Sequence, residues 1–80
     1  MKLSYRTRQI LILLRNEDER GLGWISNHLR PPMLYPNLHP KIDEMEFRDG
    51  LITTLKKYSN GTRLLVLTSK GKKIAKGLKE

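Results

Sequence analysis

The feature that most constrains the fold is an Asn60-Gly61 pair between two runs of apolar and β-branched residues, 51–58 (LITTLKKY) and 63–68 (RLLVLT). Runs of this composition are typical of strands. Asn-Gly is the strongest two-residue hairpin signal, because both central positions of the favoured turn take a positive φ. The sequence therefore predicts a β-hairpin in the C-terminal half of a chain whose other segments have helical spacing.

A turn centred on Asn60-Gly61 would also set the register of the hairpin. It places Leu55 opposite Val66 and Lys57 opposite Leu64. The residues that share one face are then Ile52, Leu65 and Leu67. The register matters because a slip of one residue would exchange the two faces of the strand.

Helices are predicted around this hairpin. Ser4 is a plausible N-cap for the first, and residues 21–23 (GLG) are expected to form a turn or a very short strand before the second. Pro31-Pro32 would end the second helix, since proline lacks the amide donor. The predicted helices cover residues 4–16, 24–29 and 40–49, with a final helix capped by Thr68 or Ser69.

The third helix is expected to begin at Pro40, because proline suits the first helical position, and to end before Gly50. The preceding segment, 30–39, is rich in proline and has neither helical nor strand spacing, so we expect it to be irregular, with residues 33–35 (MLY) packed on the domain. The alternative is a single helix over 41–58. A glycine inside it, followed by Ile-Thr-Thr, disfavours that alternative.

Composition bounds the class of protein. At 80 residues the chain is long enough for one domain, residues 1–80, and its 38% of hydrophobic residues is too high for a disordered chain. The longest apolar run, 10–14, is far too short for a membrane span, and we expect no signal peptide. The absence of cysteine excludes disulfides and thiolate sites. These features predict a cytoplasmic protein.

Basic charge is concentrated at one end of the chain. The formal net charge is +8, and residues 51–80 carry all but one unit of it. Such a one-sided excess indicates a polyanion as partner, either nucleic acid or an acidic membrane surface. A solvated surface is the alternative for each lysine taken singly.

Three short motifs resemble those of one superfamily. Asp49-Gly50-Leu51-Ile52 resembles the step from recognition helix to first wing strand in winged helix-turn-helix regulators of the MarR-like and PadR-like groups. Leu67-Thr68-Ser69-Lys70-Gly71 is similar to their LTxxG exit from the wing, and Arg8-Gln9-Ile10-Leu11 resembles their opening helix. The resemblance implies an α+β, mainly α winged helix: a three-helix core, a two-stranded β-hairpin wing and a C-terminal helix. It also implies a small, nucleoid-associated transcriptional regulator that binds double-stranded DNA.

Basic, aromatic and amide side chains that could reach phosphates or bases fall in three groups. The hairpin supplies one group, the last helix a second, and the third helix the remainder. The predicted DNA-binding residues are Lys56, Lys57, Tyr58, Asn60, Thr62 and Arg63 on the wing, Lys70, Lys72 and Lys73 on the last helix, and Tyr35, His39, Lys41 and Arg48 around helix three.

Two departures from the family pattern favour another function. The connection before the third helix is long for a helix-turn-helix, and the third helix is acidic, which would repel phosphates. Its carboxylates are Asp43, Glu44, Glu46 and Asp49. A winged-helix module that binds a protein through this helix and the MLY segment is therefore the alternative. An RNA-associated domain is a third possibility, disfavoured by the lack of a stacked aromatic pattern.

The remaining expectations concern assembly and chemistry. Leu11 and Ile12 widen the apolar surface of the first helix, which with the small core predicts a homodimer. Trp24 is expected in the core, and His28 with His39 is too sparse a pair for a metal site. No nucleophile or phosphate-binding glycine loop accompanies the acidic residues, so we expect neither an enzyme nor a cofactor.

Overall fold

A computed structural model describes residues 3–59 and 63–79 of the chain. The first helix, α1, is Tyr5–Glu17, and the backbone N–H of Thr7 donates to the Ser4 Oγ atom (3.2 Å). The prediction of Ser4 as N-cap is therefore confirmed. The helix ends at Asp18, whose φ of 67° turns the chain while its N–H donates to the carbonyl of Leu14 (2.8 Å).

A short strand and a short helix follow α1. The strand β1 is Glu19–Gly21 and the helix α2 is Leu22–His28, so the strand lies earlier than predicted and the helix begins at Leu22. Burial explains the earlier start, because Leu22 and Ile25 both enter the core. The chain leaves α2 at Leu29, before the two prolines, as predicted.

The third helix, α3, is Tyr35–Asp43 and continues as a π-helical turn, Glu44–Arg48. The prediction of an irregular segment over 30–39 therefore holds for residues 30–34 and is wrong for 35–39, and the predicted helix start at Pro40 is wrong. The expected packing of residues 33–35 holds for Met33 and is wrong for Leu34, which is 74% exposed. Pro36 occupies one of the first helical positions, where no backbone donor is required. The connection between α2 and α3 spans residues 29–34, shorter than the sequence indicated.

The predicted hairpin is present as β2, Ile52–Lys57, and β3, Arg63–Leu67, which rules out the single-helix alternative. The three strands form one antiparallel sheet in the order β1-β3-β2. Residues 60–62, the predicted turn, lie outside the described residues. The last pair of the ladder among the described residues is Lys57 opposite Arg63.

The predicted register of the hairpin is wrong. Thr53 lies opposite Val66 and Lys56 opposite Leu64, and the ladder shifts between Thr54 and Lys56. Leu55 is the extra residue of this irregularity, which leaves it without a partner. The predicted common face is nevertheless confirmed by burial, since Ile52, Leu65 and Leu67 are all in the core.

The last helix, α4, is Ser69–Lys76, and Thr68 is its N-cap, as predicted: the N–H of Gly71 donates to Thr68 Oγ1 (3.0 Å). The chain is therefore α+β and mainly helical around one apolar cluster. That cluster joins the four helices and the sheet. Within residues 3–59 and 63–79, none of the helices has the length and apolarity to cross a bilayer.

The wide apolar face of α1 is largely covered by the chain itself. Leu11 is fully buried and Ile12 is half-buried. Helix α4 packs on α1, and the Arg15 guanidinium donates to the carbonyls of Ala75 (2.6 Å) and Leu78 (2.7 Å). The apolar face of α1 therefore no longer argues for a second subunit, and the homodimer stays an untested prediction.

Candidate nucleic-acid interface

The β-hairpin of strands β2 and β3, for which we keep the label wing, carries two exposed lysines on β2, Lys56 and Lys57. The Lys56 ammonium lies 5.1 Å from the centre of the Tyr58 ring, which is itself partly exposed. Neither lysine forms an ion pair with any residue that the structure describes. These two cations are therefore available to an anionic partner.

Arg63, across the hairpin from Lys57, is placed differently. Its side chain is 13% exposed, and its guanidinium pairs with Asp43 (3.1 Å) and Glu46 (3.4 Å) of the third helix and π-helical turn. Glu46 also accepts from the backbone N–H of Thr54 (2.9 Å). Arg63 thus joins the wing to α3, and we leave it out of the proposed interface.

The other two carboxylates of this segment are also paired. Arg48 donates to Glu44 (2.9 Å) and to Asp49 (3.0 Å), and Lys41 donates to Glu44 (3.4 Å) and to Ser4 Oγ (2.9 Å). The hydrogen bond from Arg48 holds the pKa of Asp49 below its ordinary value, although partial burial opposes this shift. Each acidic side chain that counted against DNA binding therefore has a cation beside it.

Two of the predicted cations in this region differ in accessibility. Lys41 is largely buried, and its ammonium group is already bound to Ser4 and Glu44, so it acts within the fold. Arg48 keeps 68% of its side chain exposed despite its two carboxylate partners. A phosphate could approach Arg48, but not Lys41 without breaking existing bonds.

Tyr35 and His39 lie one turn apart at the start of α3. Their rings meet edge to face, with centroids 5.7 Å apart, and about half of Tyr35 is exposed. Asn37, between them in sequence, is exposed as well. This end of α3 therefore presents polar and aromatic groups that could contact base edges.

Helix α4 supplies the largest group of exposed lysines. Lys70 donates to the backbone carbonyl of Asp49 (2.9 Å), which ties the start of α4 to the end of the π-helical turn. Three other exposed lysines of α4, and one that follows the helix, have no ion pair with any described residue: Lys72, Lys73, Lys76 and Lys79. Lys72 and Lys73 were predicted to contact DNA; Lys76 and Lys79 were not.

The aromatic and histidine side chains outside this region have structural partners. The Trp24 and His28 rings stack with centroids 3.9 Å apart, and the Arg20 guanidinium lies 5.0 Å from the Trp24 ring. Trp24 is half-buried against the core rather than inside it. No three His, Asp or Glu side chains among residues 3–59 and 63–79 form a group able to hold a metal ion.

Two exposed apolar side chains were not expected at this surface. Phe47 is 76% exposed and Leu55 is 57% exposed. The exposure of Phe47 could have been predicted, because this residue lies outside the apolar stripe that helical spacing gives the third helix. The exposure of Leu55 could not, because it accompanies the irregularity in β2.

The structure thus brings Lys56 and Tyr58 together on the wing, with Lys57 next to Lys56 along the strand, and it brings Arg48 and Lys70 together around Asp49. Asn60 and Thr62, also predicted to contact DNA, lie outside the described residues. Comparison of the chain with models of protein families, with curated protein sequences and with solved structures finds no match. Geometry and charge are therefore the basis for any assignment of function.

Proposed function

We propose that the chain is a winged-helix protein that binds double-stranded DNA and acts as a small transcriptional regulator. The order of elements supports this proposal. A helix, a short strand, two further helices, a β-hairpin and a closing helix follow one another, and β1 pairs with β3 at the edge opposite β2. This is the arrangement expected of a wing attached to a helix-turn-helix core.

The observation that carries the proposal is the contrast between paired and unpaired charge. The carboxylates of α3 and the π-helical turn are all held by cations of the same chain, whereas Lys56 and Lys57 on the wing and the exposed lysines of α4 are not. A phosphate backbone would therefore meet unpaired positive charge. The acidic residues, once neutralised, oppose its approach much less.

In this proposal the lysines bind phosphates and the start of α3 contacts bases. Phosphate contacts supply affinity and orientation but carry no sequence information. Tyr35, Asn37 and His39 are the side chains placed to add specificity, since an asparagine amide can form a bidentate pair with adenine. Arg48, at the other end of the segment, adds a further phosphate contact.

A salt titration with duplex DNA tests the proposal. Each phosphate contact contributes a slope of about −0.9 to log K against log salt concentration. We expect Lys56→Gln with Lys57→Gln to make the slope shallower by about 2, one unit for each lost contact. Arg8→Gln with Arg30→Gln is the matched control, because it removes two exposed cations that lie on α1 and after α2, outside the proposed interface. No binding at about 50 mM salt would reject the proposal.

The protein-binding alternative keeps one specific observation in its favour. Leu34 is 74% exposed and adjoins the partly exposed Tyr35. Met33, by contrast, packs against the core and accepts a hydrogen bond from Ser26. A partner captured by the wild-type protein after nuclease treatment, and lost with Leu34→Ala, would favour this alternative.

A further inference from the structure

A cavity of about 600 Å³ lies where the end of α1, the start of β1, strand β3 and helix α4 meet. Its volume falls within the range of small-molecule binding sites, about 300–1,000 Å³. The apolar part of its lining consists of Leu14, Val66 and Leu67. Leu14 and Leu67 also belong to the apolar cluster that holds the helices and the sheet together, so the cavity is built into the fold.

Two carboxylates line this cavity at the junction of α1 and β1. Asp18 ends the helix and Glu19 is the first residue of the strand. Glu19 lies opposite Val66 in the ladder, so the two side chains project from the same face of the sheet. Both carboxylates are exposed, and neither forms an ion pair with a residue that the structure describes. They are therefore available to a cation.

The backbone of Asp18 is strained. Its φ of 67° and ψ of −71° are close to those of the γ-turn with positive φ, which is a rare conformation. Among residues 3–59 and 63–79, Asp18 is the only non-glycine residue with a positive φ. Strain of this kind is concentrated at binding and catalytic sites, where the surrounding structure maintains it. Here it turns the chain from α1 into β1 beside the cavity.

Helix α4 contributes charge of the opposite sign. Lys72 and Lys76 both line the cavity, one helical turn apart on the same face of α4. Both are exposed and have no ion pair with a described residue, the two carboxylates of the cavity included. Arg15 also lines the cavity, but its guanidinium donates to two carbonyls of the α4 segment and holds that segment against α1. Anions and cations thus line one cavity from separate elements without neutralising each other.

These charges indicate which ligands fit the cavity. A simple anion would be repelled by the carboxylates, and a simple cation would be repelled by the lysines. A zwitterion can satisfy both pairs, and an apolar segment between its charged ends would pack on the apolar lining. The two charged ends must be well separated, because the lysines and carboxylates of the cavity do not contact each other. A dipeptide meets this requirement better than a free amino acid, since its two residues span up to about 7 Å.

We infer that this cavity binds a short apolar peptide with free termini, whose ammonium group pairs with Asp18 and Glu19 and whose carboxylate pairs with Lys72 and Lys76. The binding site itself does not depend on the proposed function. Its regulatory consequence rests on that function, because Lys72 is also a predicted DNA contact. A peptide carboxylate bound to Lys72 would withdraw this lysine from the phosphates, so the peptide would act as an effector that weakens DNA binding.

Isothermal titration calorimetry with leucyl-leucine tests the site in the absence of DNA. We expect a Kd below about 1 mM. N-acetyl-leucyl-leucine lacks the ammonium group and leucyl-leucinamide lacks the carboxylate, so each should bind at least about tenfold more weakly. Free leucine should also bind about tenfold more weakly, because its two charges are too close together to reach both pairs of side chains.

Two double variants test the direction in which the peptide lies. With Lys72→Gln and Lys76→Gln, leucyl-leucine and leucyl-leucinamide should bind equally, while the acetylated peptide should remain the weaker ligand. With Asp18→Asn and Glu19→Gln, leucyl-leucine and its acetylated form should bind equally instead. Asparagine is chosen at position 18 because it tolerates a positive φ as aspartate does.

The matched control is Lys73→Gln with Lys79→Gln, which removes two exposed lysines that do not line the cavity. It should keep the wild-type Kd and the wild-type preference for free termini. The wild-type measurements decide the matter even if a variant fails to fold. Absence of binding at several times the expected Kd, or equal binding of the free and blocked dipeptides, overturns the site. Free leucine binding as tightly as leucyl-leucine overturns the assignment to peptides.

The salt titration with duplex DNA separates this inference from the proposed function. Saturating leucyl-leucine should make the slope of log K against log salt concentration shallower by about 1, because the Lys72 contact is lost. An unchanged slope and affinity would overturn the regulatory role. Absence of duplex binding would reject the proposed function, whereas the calorimetric result for the peptide would still decide the site.

Discussion

Gly71 lies where the first turn of α4 crosses the backbone of Leu51. A Cβ atom built on Gly71 would fall 1.9 Å from the Leu51 carbonyl oxygen, far inside contact distance. Beside it, the Thr68 hydroxyl donates to the carbonyl of Gly50 (2.6 Å) and accepts from the N–H of Gly71. The Leu-Thr-Ser-Lys-Gly motif thus has a physical role here, which is to join α4 to the base of the wing.

We expect Gly71→Ala to lower the free energy of unfolding by about 3 kcal/mol, because the methyl group forces α4 away from Leu51. Gly77→Ala is the control, since its Cβ would meet only Ile74 O at 3.7 Å. That control should change stability by about 0.5 kcal/mol or less. Urea unfolding followed by circular dichroism measures both, and equal effects of the two substitutions would contradict the prediction.

The Arg48–Asp49 pair predicts a dependence of stability on pH. The hydrogen bond from Arg48 lowers the pKa of Asp49 in the folded state. Its stabilisation is therefore present above the unfolded pKa of about 3.9 and is lost as the pH falls through the folded-state pKa. With Arg48→Met the pKa of Asp49 should rise, and the stability difference from wild type should narrow below about pH 4.

Carbon-13 NMR titration of the Asp49 carboxyl group measures this shift directly. Arg30→Met is a suitable control, because Arg30 is exposed and, among residues 3–59 and 63–79, its guanidinium donates to the backbone carbonyls of Asn27 and Leu29 and to no carboxylate. The Asp49 titration should be unaffected in that variant. An unchanged Asp49 titration in Arg48→Met would show that the guanidinium does not control it.

At the scale of elements, the wing is attached to α3 by a small ion-pair network around Arg63. We expect Arg63→Met to lower the free energy of unfolding by about 1–2 kcal/mol, because Glu46 is largely buried and would lose its cation. Lys57→Met, directly across the hairpin and exposed, should cost about 0.5 kcal/mol or less. Thermal unfolding of the two variants compares them, and a smaller loss for Arg63→Met than for Lys57→Met would count against the network.

Local signals predicted the elements that depend on local chemistry. The caps Ser4 and Thr68, and the β-branched runs of the hairpin, gave α1, α4 and the wing close to their observed bounds. The start of α3 was misplaced because prolines usually break helices, whereas Pro36 stands where a helix tolerates it. The register was misplaced because the bulge at Leu55 accompanies a hydrogen bond that the Thr54 N–H donates to a distant carboxylate, Glu46.

The candidate site also divides into features that composition predicts and features that depend on distant contacts. Exposure of the wing and α4 lysines followed from their number, since so many cations have no room in a core of this size. The pairing of Arg63 with Asp43 and Glu46 could not be read from the sequence, because these partners are far away along the chain. The same is true of the bond from Lys41 to Ser4, whereas the Lys41–Glu44 pair follows from helical spacing. The exposed Leu55 depends on the register and was hidden for the same reason.

At the scale of the whole molecule, size limits what one copy can cover. The longest extent is 34 Å, which corresponds to about ten base pairs at 3.4 Å each. A regulator that recognises longer sites would bind as a pair with half-sites about one turn apart. The homodimer predicted from the sequence would meet that requirement.

Sedimentation equilibrium tests the homodimer. We expect a mass near twice 9.3 kDa at tens of micromolar protein, and a footprint on DNA of about two turns. A mass of 9.3 kDa under the same conditions would reject the dimer. The comparison is best made with and without duplex DNA, because two copies on neighbouring half-sites can associate only when bound.

The bonds from Arg15 to Ala75 and Leu78 have a consequence for the order in which the protein can be built. Among the described residues, strand β1 likewise pairs with β3 alone. Segments from the first quarter of the chain are therefore held in place by segments from its last third. These contacts close a loop that contains most of the chain, and the entropy cost of closing it must be overcome before α1 packs in its final position. During synthesis, α1 and β1 cannot complete their contacts until β3 and α4 have left the ribosome, so this domain is expected to fold only after residue 78 has emerged.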